Sequence, residues 1–98
     1  MAEVQAGEGL EASSEVTQDG DVVAATLEYL ARALVAHPDD VVVEQTTGER
    51  GPTYRLRVNG EDMGRVIGRS GRIARAIRQV VRAAAIRAGT TAIVEISG

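Results

Sequence analysis

Apolar residues recur at helical spacing near the start of the chain. The pattern consists of four residues separated by three or four positions: Val23, Leu27, Leu30 and Leu34. This spacing places them on one side of a helix, so it predicts an amphipathic helix that buries that side. Asp21 suits its N-cap, and His37 and Pro38 are expected to end it, because the residue before a proline disfavours helical geometry.

The next segment changes to the spacing of strands. Residues 41–47 are rich in β-branched side chains, and residues 48–52 contain two glycines and a proline, which predicts a strand followed by a turn. Residues 53–59 then alternate between an apolar and a polar face: Tyr54, Leu56 and Val58 against Thr53, Arg55 and Arg57. The two segments therefore predict a β-hairpin whose second strand is half-buried.

The second half of the chain predicts two helices and a final strand. A short helix is expected from residue 59 or 60 to residue 67, and a long one from residue 72 to about 87, with Gly89 as its C-cap. The long helix has an apolar stripe: Ile73, Ile77, Val80, Val81 and Ala84. Its opposite side carries Arg75, Arg78 and Arg82. Residues 91–96 predict the last strand, so the predicted order is α-β-β-α-α-β.

Size and composition narrow the class of protein. The chain has 98 residues, which suits one domain with a modest core, and no cysteine, which excludes disulfides and thiolate metal sites. No apolar run approaches the roughly 18 residues of a membrane span, and the N-terminus lacks the order of a secretory signal. These features favour a soluble cytoplasmic protein with no membrane partner. The composition of residues 1–20 predicts a disordered acidic tail ahead of a domain at residues 21–98.

Charge is distributed unevenly along the chain. The formal net charge is −3, yet residues 1–21 hold six acidic residues and no basic one. The segment from Arg55 to Arg87 holds nine arginines and two acidic residues, a local net charge of +7. A basic segment of this density predicts a binding surface for a polyanion, although an ordinary solvated helix face is the alternative.

The segment between the two predicted helices is the most informative one for function. Gly68 and Gly71 flank Arg69 and Ser70, which places a positive charge and a hydroxyl at the tip of a turn with a bare backbone at either end. Amide groups at the start of a helix bind anions. A G-x-x-G loop of this kind clamps the backbone of about four nucleotides in KH domains. The sequence therefore predicts a small RNA-binding protein.

The predicted RNA-binding site surrounds this loop. Backbone amides from Gly68 to Arg72, together with the Arg69 side chain, are expected to hold phosphates. Three apolar residues are expected to form a floor for the bases, with core packing as the alternative role: Val66, Ile67 and Ile73. Three arginines are expected to reach the sugar–phosphate backbone from the rim: Arg65, Arg72 and Arg75. Since no aromatic residue lies near the loop in the sequence, base stacking is unavailable and binding should be weak, electrostatic and poorly sequence-selective.

Two segments resemble a known bacterial family: residues 30–40 (LARALVAHPDD) and residues 64–78 (GRVIGRSGRIARAIR). They look like the stand-alone single-KH-domain proteins of the KhpA family, and the likeness extends over about residues 22–96. The resemblance implies an α+β type II KH domain, in which three helices pack on one face of a three-stranded mixed sheet. It also implies an RNA chaperone, linked to cell length and cell-wall homeostasis, that self-associates or pairs with a larger KH protein of the KhpB type.

Motifs for other functions are incomplete. A nucleotide-hydrolysing P-loop needs lysine and then serine or threonine after its second glycine, whereas arginine and isoleucine follow Gly71. The dinucleotide fingerprint G-x-G-x-x-G fails because Gly64 and Gly68 are four positions apart. We therefore expect no enzyme activity, small-molecule substrate, cofactor or metal. A protein-interaction module stays open, because the alanines at positions 83–85 suit close helix packing.

Four other residues are expected to have structural roles. His37 is expected to be a cap or turn residue, since it stands alone before a proline. Tyr54 is expected in the core because it alternates inward. Glu61 and Asp62 are expected to favour a helix N-terminus through the helix dipole.

Overall fold

Within residues 18–98, which the computed structural model describes, the fold consists of three helices and three strands. The elements in chain order are α1 (Gln18–Leu34), β1 (Val42–Gly48), β2 (Gly51–Arg57), α2 (Met63–Ile67), α3 (Arg72–Arg87) and β3 (Ile93–Ser97). Short 3₁₀ turns lie at Pro38–Asp40, Gly60–Asp62 and Arg69–Gly71. This is the predicted α-β-β-α-α-β order. The predicted disorder of the acidic tail concerns residues that lie almost wholly outside the described ones.

The sheet has the strand order β1-β2-β3 and is mixed. β1 and β2 form an antiparallel hairpin in which Gln45 pairs with Tyr54. β3 lies parallel to β2, with Val94 opposite Tyr54. A parallel neighbour requires a crossover connection, and α2 and α3 supply it. The last strand is therefore an integral part of the sheet, as the predicted KH fold requires.

The core lies between the sheet and the helices, which all pack on one of its faces. Tyr54 and Leu56 of β2 are fully buried, as their alternation predicted. The helices contribute the facing side chains: Val23, Leu27 and Ala31 of α1, Val66 of α2, and Ile77, Val81 and Ala85 of α3. Each large aliphatic side chain buried in this way contributes about 1.5–3 kcal/mol of transfer free energy, so the small core depends on every helix being in place.

The bounds of α3 agree with the prediction because glycines mark both of its ends. Gly71 precedes the helix with φ +75°, and Gly89 follows it with φ +79°. At the C-terminal end, the amides of Gly89 and Thr90 donate to the carbonyl oxygens of Ile86 and Ala85 at 3.0 and 2.8 Å. These are the two hydrogen bonds of a Schellman motif, which confirms Gly89 as the residue that ends the helix.

Other element bounds differ from the predictions by a few residues. α1 begins at Gln18, three residues before the predicted N-cap Asp21, since residue preferences alone locate a helix end only approximately. β2 begins at Gly51, so the hairpin turn is shorter than expected. His37 is the N-cap residue of the Pro38–Asp40 turn, in agreement with its expected role.

One member of the apolar stripe predicted for α3 lies outside the core. Val80 is 47% exposed, whereas Ala74 and Ala85, which the stripe omitted, are buried with Ile77 and Val81. Each residue advances an α-helix by about 100°, and the buried positions centre on the side of Ala74 and Ala85. Several neighbouring positions around α3 are apolar, and the packing of the helix against the sheet determines which of them are buried. No helix within residues 18–98 is both long and apolar enough to cross a membrane.

Candidate nucleic-acid interface

The loop between α2 and α3 projects its tip into solvent. Arg69 and Ser70 are exposed, and Gly68 and Gly71 beside them are partly buried. Ser70 has φ +57° and Gly71 has φ +75°, so two consecutive residues adopt left-handed conformations and turn the chain sharply into α3. Serine rarely adopts this conformation. The tip is thus an open turn, as the predicted site requires.

The two glycines of the loop have different roles. Gly68 has φ +76°, and a Cβ there would collide with the Ile73 side chain and lie 2.9 Å from the Ile73 backbone nitrogen. Gly71 also has positive φ, but its Cβ would meet only a guanidinium nitrogen of Arg75, at 4.0 Å. Gly68 therefore permits a close approach of the loop to α3, whereas Gly71 supplies only the turn conformation.

Part of the predicted amide cluster is already engaged inside the loop. The amides of Gly68, Gly71 and Arg72 donate to carbonyl oxygens of residues three or four positions earlier. Within the described residues, the amides of Arg69 and Ser70 make no such bond. Of the five loop amides predicted to hold phosphate, only these two therefore lack a backbone acceptor within residues 18–98.

The apolar residues beside the loop do not form one continuous exposed floor. Val66 is completely buried in the core beneath the loop, which corrects its predicted contact with bases. Ile67 and Ile73 are partly buried and pack against the core. Of the three predicted floor residues, Ile67 and Ile73 therefore keep some exposed surface next to the loop, and Val66 keeps none.

The three predicted rim arginines differ in what they contact. Arg72 is exposed at the first position of α3. Arg75 donates from Nη2 to the Ser70 carbonyl oxygen at 3.1 Å and so braces the tip. Arg65 is held toward Asp62, with 3.6 Å between its Nε and Oδ1 of the carboxylate. Since a guanidinium has five N–H donors, Arg75 can brace the loop and still present donors to a phosphate.

Asp62 is a buried carboxylate that joins the end of α1 to the start of α2. It is 1% exposed, and its oxygens accept hydrogen bonds from the amides of Ala36 and His37, both at 3.0 Å. Burial by itself raises the pKa of Asp62, but the two amide hydrogen bonds and the charges of His37 and Arg65 outweigh it, so the pKa lies below its ordinary value of 3.8. The main role of Asp62 is thus to hold two segments together, beyond the predicted helix-dipole effect.

A groove between α3 and β3 adds arginines that the predicted site omitted. Its lining consists of Arg78, Arg82, Ala92, Ile93 and Val94. Arg78 donates from Nε to the Val94 carbonyl oxygen at 3.3 Å, which places its guanidinium over the edge of the sheet. The spacing of arginines along α3 was the available signal, but only the position of β3 shows that they border a groove. We call Arg69, Arg72, Arg75, Arg78 and Arg82 the arginine face.

The two arginines of β2 lie on the outer face of the sheet and are paired. Arg55 contacts Glu95 at 3.2 Å, and Arg57 contacts Glu44 at 3.3 Å. Both glutamates come from outside the basic segment, so its local charge of +7 overstates what a polyanion would meet. Within the described residues, the arginine face has no carboxylate within ion-pairing distance. The unpaired positive charge is therefore concentrated on the helical side.

The element order, the mixed sheet and the G-x-x-G loop between α2 and α3 define a type II KH domain. The chain belongs to the KhpA/KhpB KH-domain family, whose model matches residues 24–96. It is 50% identical over 70 residues to the RNA-binding protein KhpA of Clostridium acetobutylicum, covering 71% of this chain and 93% of that protein. It is 43% identical over 81 residues to the RNA-binding protein KhpA of Treponema pallidum, covering 83% and 96%.

Two solved structures of Era share the fold. A variant of Aquifex aeolicus Era bound to GDP and aluminium fluoride has a TM-score of 0.56 at 16% identity, covering 76% of this chain and 30% of Era. Era in complex with MgGDPNP and nucleotides of 16S ribosomal RNA has a TM-score of 0.54 at 17% identity, covering 76% and 29%. At these identities the likeness concerns the arrangement of the backbone alone.

Proposed function

We propose that this protein binds single-stranded RNA by holding its sugar–phosphate backbone at the G-x-x-G loop and along the arginine face. The observation that carries the proposal is the exposed loop tip. There the amides of Arg69 and Ser70 make no hydrogen bond within the described residues and lie in a left-handed turn at the start of α3. Relatives that match most of the chain are named RNA-binding proteins, which supports the assignment.

In the proposed complex the backbone of the RNA crosses the loop and follows α3. The Arg69 side chain and the two free amides hold one phosphate. Arg72 contributes to the same phosphate, and Arg78 and Arg82 hold the two following phosphates along a helix that is about 24 Å long at 1.5 Å per residue. This length accommodates the roughly four nucleotides that a G-x-x-G loop and its groove clamp in KH domains.

The composition of the site favours weak binding with little sequence preference. Tyr54 is buried in the core, and Tyr29 lies on α1, outside the groove between α3 and β3. Base stacking, worth about 1–3 kcal/mol per base, is therefore not supplied there. Contacts that are brief and sequence-tolerant suit a cytoplasmic RNA chaperone, which is the form of the function that we propose. Roles in cell length and cell-wall homeostasis stay predictions from the family resemblance.

Charge reversal at the loop tip tests the proposal. The double variant R69D/S70D removes one phosphate contact and places two carboxylates where phosphate would lie, so we expect RNA affinity to fall by more than about 30-fold. Aspartate tolerates the left-handed conformation of residue 70 better than most residues do, and both side chains are exposed. The fold should therefore persist. Fluorescence anisotropy with a single-stranded RNA oligomer, alongside circular dichroism, measures both properties.

A matched control carries the same change of charge elsewhere. Thr47 and Arg50 are exposed at the hairpin turn between β1 and β2. That turn lies near Thr91, which follows the opposite end of α3 from the G-x-x-G loop. T47D/R50D should change the affinity by less than about threefold at physiological salt, because screening limits the effect of distant charges. A folded R69D/S70D protein that binds RNA as tightly as this control would reject the loop as the site.

Self-association is a second candidate function, favoured by an apolar groove between α1 and α3. The groove is lined by Leu30, Ala33, Leu34, Ile73, Ala76, Ile77 and Val80. Val80 is 47% exposed, and Tyr29 is 74% exposed on α1. Because a second copy presents the same groove, a two-fold dimer would bury both apolar surfaces at once. Pairing with a larger KH protein of the KhpB type is a separate prediction from the family resemblance.

Light scattering tests self-association directly. We expect the wild-type chain to form dimers at micromolar concentration and V80E to be monomeric with an unchanged circular dichroism spectrum. The substitution places a charge at an exposed position, so it should not disturb the core. A monomeric wild-type chain would reject self-association as a function. That result would leave the proposal of RNA binding unchanged.

A further inference from the structure

We propose that the acidic leader, defined as residues 1–17, docks on the arginine face of its own chain and competes there with RNA. The leader carries four acidic residues and no basic one: Glu3, Glu8, Glu11 and Glu15. The docking is inferred from charge and chain geometry, whereas the competition rests on the proposed RNA function. The two parts are therefore tested by separate measurements.

The first argument is charge complementarity. Residues 18–98 hold eleven arginines and ten acidic residues, so the excess negative charge of the chain resides in the leader. On the sheet, Arg55 and Arg57 have glutamate partners within the same sheet. Within the described residues, the arginine face has no carboxylate at ion-pairing distance. The leader is thus a source of carboxylates for these five arginines.

The second argument is where the leader joins the domain. Val22, in the first turns of α1, lines the same depression as Ala84, Arg87 and Ala88 near the C-terminal end of α3. Leu30 of α1 lies with Ile73 near the other end of α3, so the two helices are antiparallel. α1 therefore begins beside the C-terminal end of α3, one to two helical turns along the helix axis from Arg82, which lies on the other side of α3 in the groove beside β3.

The third argument is reach. The arginine face extends from this end of α3 back to the G-x-x-G loop, a distance of about 24 Å along the helix axis. An extended chain spans up to about 3.3 Å per residue, so 17 residues reach roughly 56 Å. The leader is therefore long enough to pass around α3, which is about 10–12 Å across, and still lie along the whole arginine face.

Docking would oppose RNA binding because both ligands use the same donors. A glutamate carboxylate and an RNA phosphate each accept charge-assisted hydrogen bonds from guanidinium groups. A short tether raises the effective concentration of the leader at the surface to the millimolar range. Each contact between a leader glutamate and an arginine is weak and is screened by salt. At this effective concentration, such contacts suffice for the leader to occupy the arginine face part of the time. RNA that offers several phosphates displaces the leader. Short or weakly charged ligands do not displace it, so the leader lowers their binding to the arginine face.

The docking is tested in the full chain without RNA. The variant E3Q/E8Q/E11Q/E15Q removes the charge of the leader and leaves residues 18–98 unchanged. In ¹⁵N NMR spectra at about 25 mM salt, we expect its arginine Nε–Hε and amide resonances over residues 69–82 to differ from those of the wild type. The difference should vanish at about 500 mM salt, where the screening length is a few ångströms. A synthetic peptide of residues 1–17 added to the variant should move the same resonances back toward their wild-type positions.

A charge-preserving variant serves as the control. Q5N/S13T/S14T/T17S alters four positions of the leader without changing its charge, and its spectrum over residues 69–82 should match that of the wild type. If the glutamine variant and the wild type have coincident spectra at low salt, the docking is wrong. Resonance changes confined to the apolar groove between α1 and α3 would also overturn it.

The competition is tested with a single-stranded RNA oligomer in the same buffer. Removing four charges that each contribute a weak surface contact should tighten RNA binding about fivefold at low salt, with no difference at high salt. Equal affinity of the glutamine variant and the wild type would overturn the competition. If neither protein binds RNA while the spectra still differ, the docking stands and the proposed RNA function fails. The two failures are therefore distinguishable.

Discussion

Two groups of arginines in this small domain differ in whether they are paired with carboxylates. On the outer face of the sheet, Arg55 and Arg57 lie against glutamates of the neighbouring strands. On the helical side, the arginine face meets backbone carbonyls, as with Arg75 at Ser70, or solvent. The two groups share one residue type and one segment of sequence. The difference teaches that a basic segment keeps unpaired positive charge only where the fold brings no carboxylates to it.

The largest expected effect concerns the loop that ends the arginine face. Gly68→Ala forces a Cβ into Ile73 at positive φ, so we expect the free energy of unfolding to fall by about 2–3 kcal/mol, with loss of RNA binding. Gly71→Ala has only the conformational penalty of about 1 kcal/mol, because its Cβ meets nothing closer than a guanidinium nitrogen of Arg75 at 4.0 Å. Urea denaturation compares the two variants. Equal losses would contradict the close contact between Gly68 and α3.

The next effect separates the two groups of arginines directly. R78Q/R82Q removes two unpaired guanidinium groups from the groove beside β3, and we expect RNA affinity to fall about tenfold, since each exposed charge contact is worth up to about 1 kcal/mol. R55Q/R57Q removes two paired guanidinium groups and should change the affinity less than twofold. Anisotropy titrations at one salt concentration measure both. A larger loss of RNA affinity in R55Q/R57Q than in R78Q/R82Q would show that RNA binds the outer face of the sheet and not the arginine face.

The salt dependence sharpens the same comparison. With about three phosphates held, the logarithm of the wild-type association constant should fall against the logarithm of salt concentration with a slope near −2. R78Q/R82Q should reduce the slope to about −0.7, the value for one remaining phosphate. R55Q/R57Q should leave it near −2. A wild-type slope of zero would show that phosphates are not held at all.

The smallest expected effect concerns Asp62, which ties the segment after α1 to the start of α2. Because the pKa of folded Asp62 lies below its ordinary value of 3.8, the ionised carboxylate stabilises the fold above that pH. The contribution is lost as the pH falls through the lowered pKa. We therefore expect D62N to lower the thermal midpoint at pH 7 and the difference from wild type to shrink below about pH 4. A difference that is constant down to pH 2.5 would contradict this role.

The features that the sequence predicted well are those coded by neighbouring residues. The bounds of α3 follow from Gly71 and Gly89, and the burial of Tyr54 follows from alternation along β2. The exposed tip of the loop follows from Gly68 and Gly71. In each case a conformational preference or a repeat distance acts over a few residues, so one segment of sequence contains the information.

The features that the sequence did not predict depend on contacts between distant segments. Glu95 reaches Arg55 across 40 positions, and the Ala36 amide reaches Asp62 across 26. The burial of Val66 and the exposure of Val80 depend on how α2 and α3 are oriented on the sheet. Neither composition nor periodicity contains that orientation, so the paired arginines were counted as available and the groove beside β3 was missed.

NMR mapping of RNA on the full chain tests the central claim most directly. Titration of the ¹⁵N-labelled protein with a short single-stranded RNA oligomer should shift the amides of Arg69, Ser70 and the first half of α3, together with the Nε–Hε groups of Arg78 and Arg82. The Nε–Hε groups of Arg55 and Arg57 should stay in place. Shifts centred on these two sheet arginines, or a loop that does not respond at saturating RNA, would contradict the account.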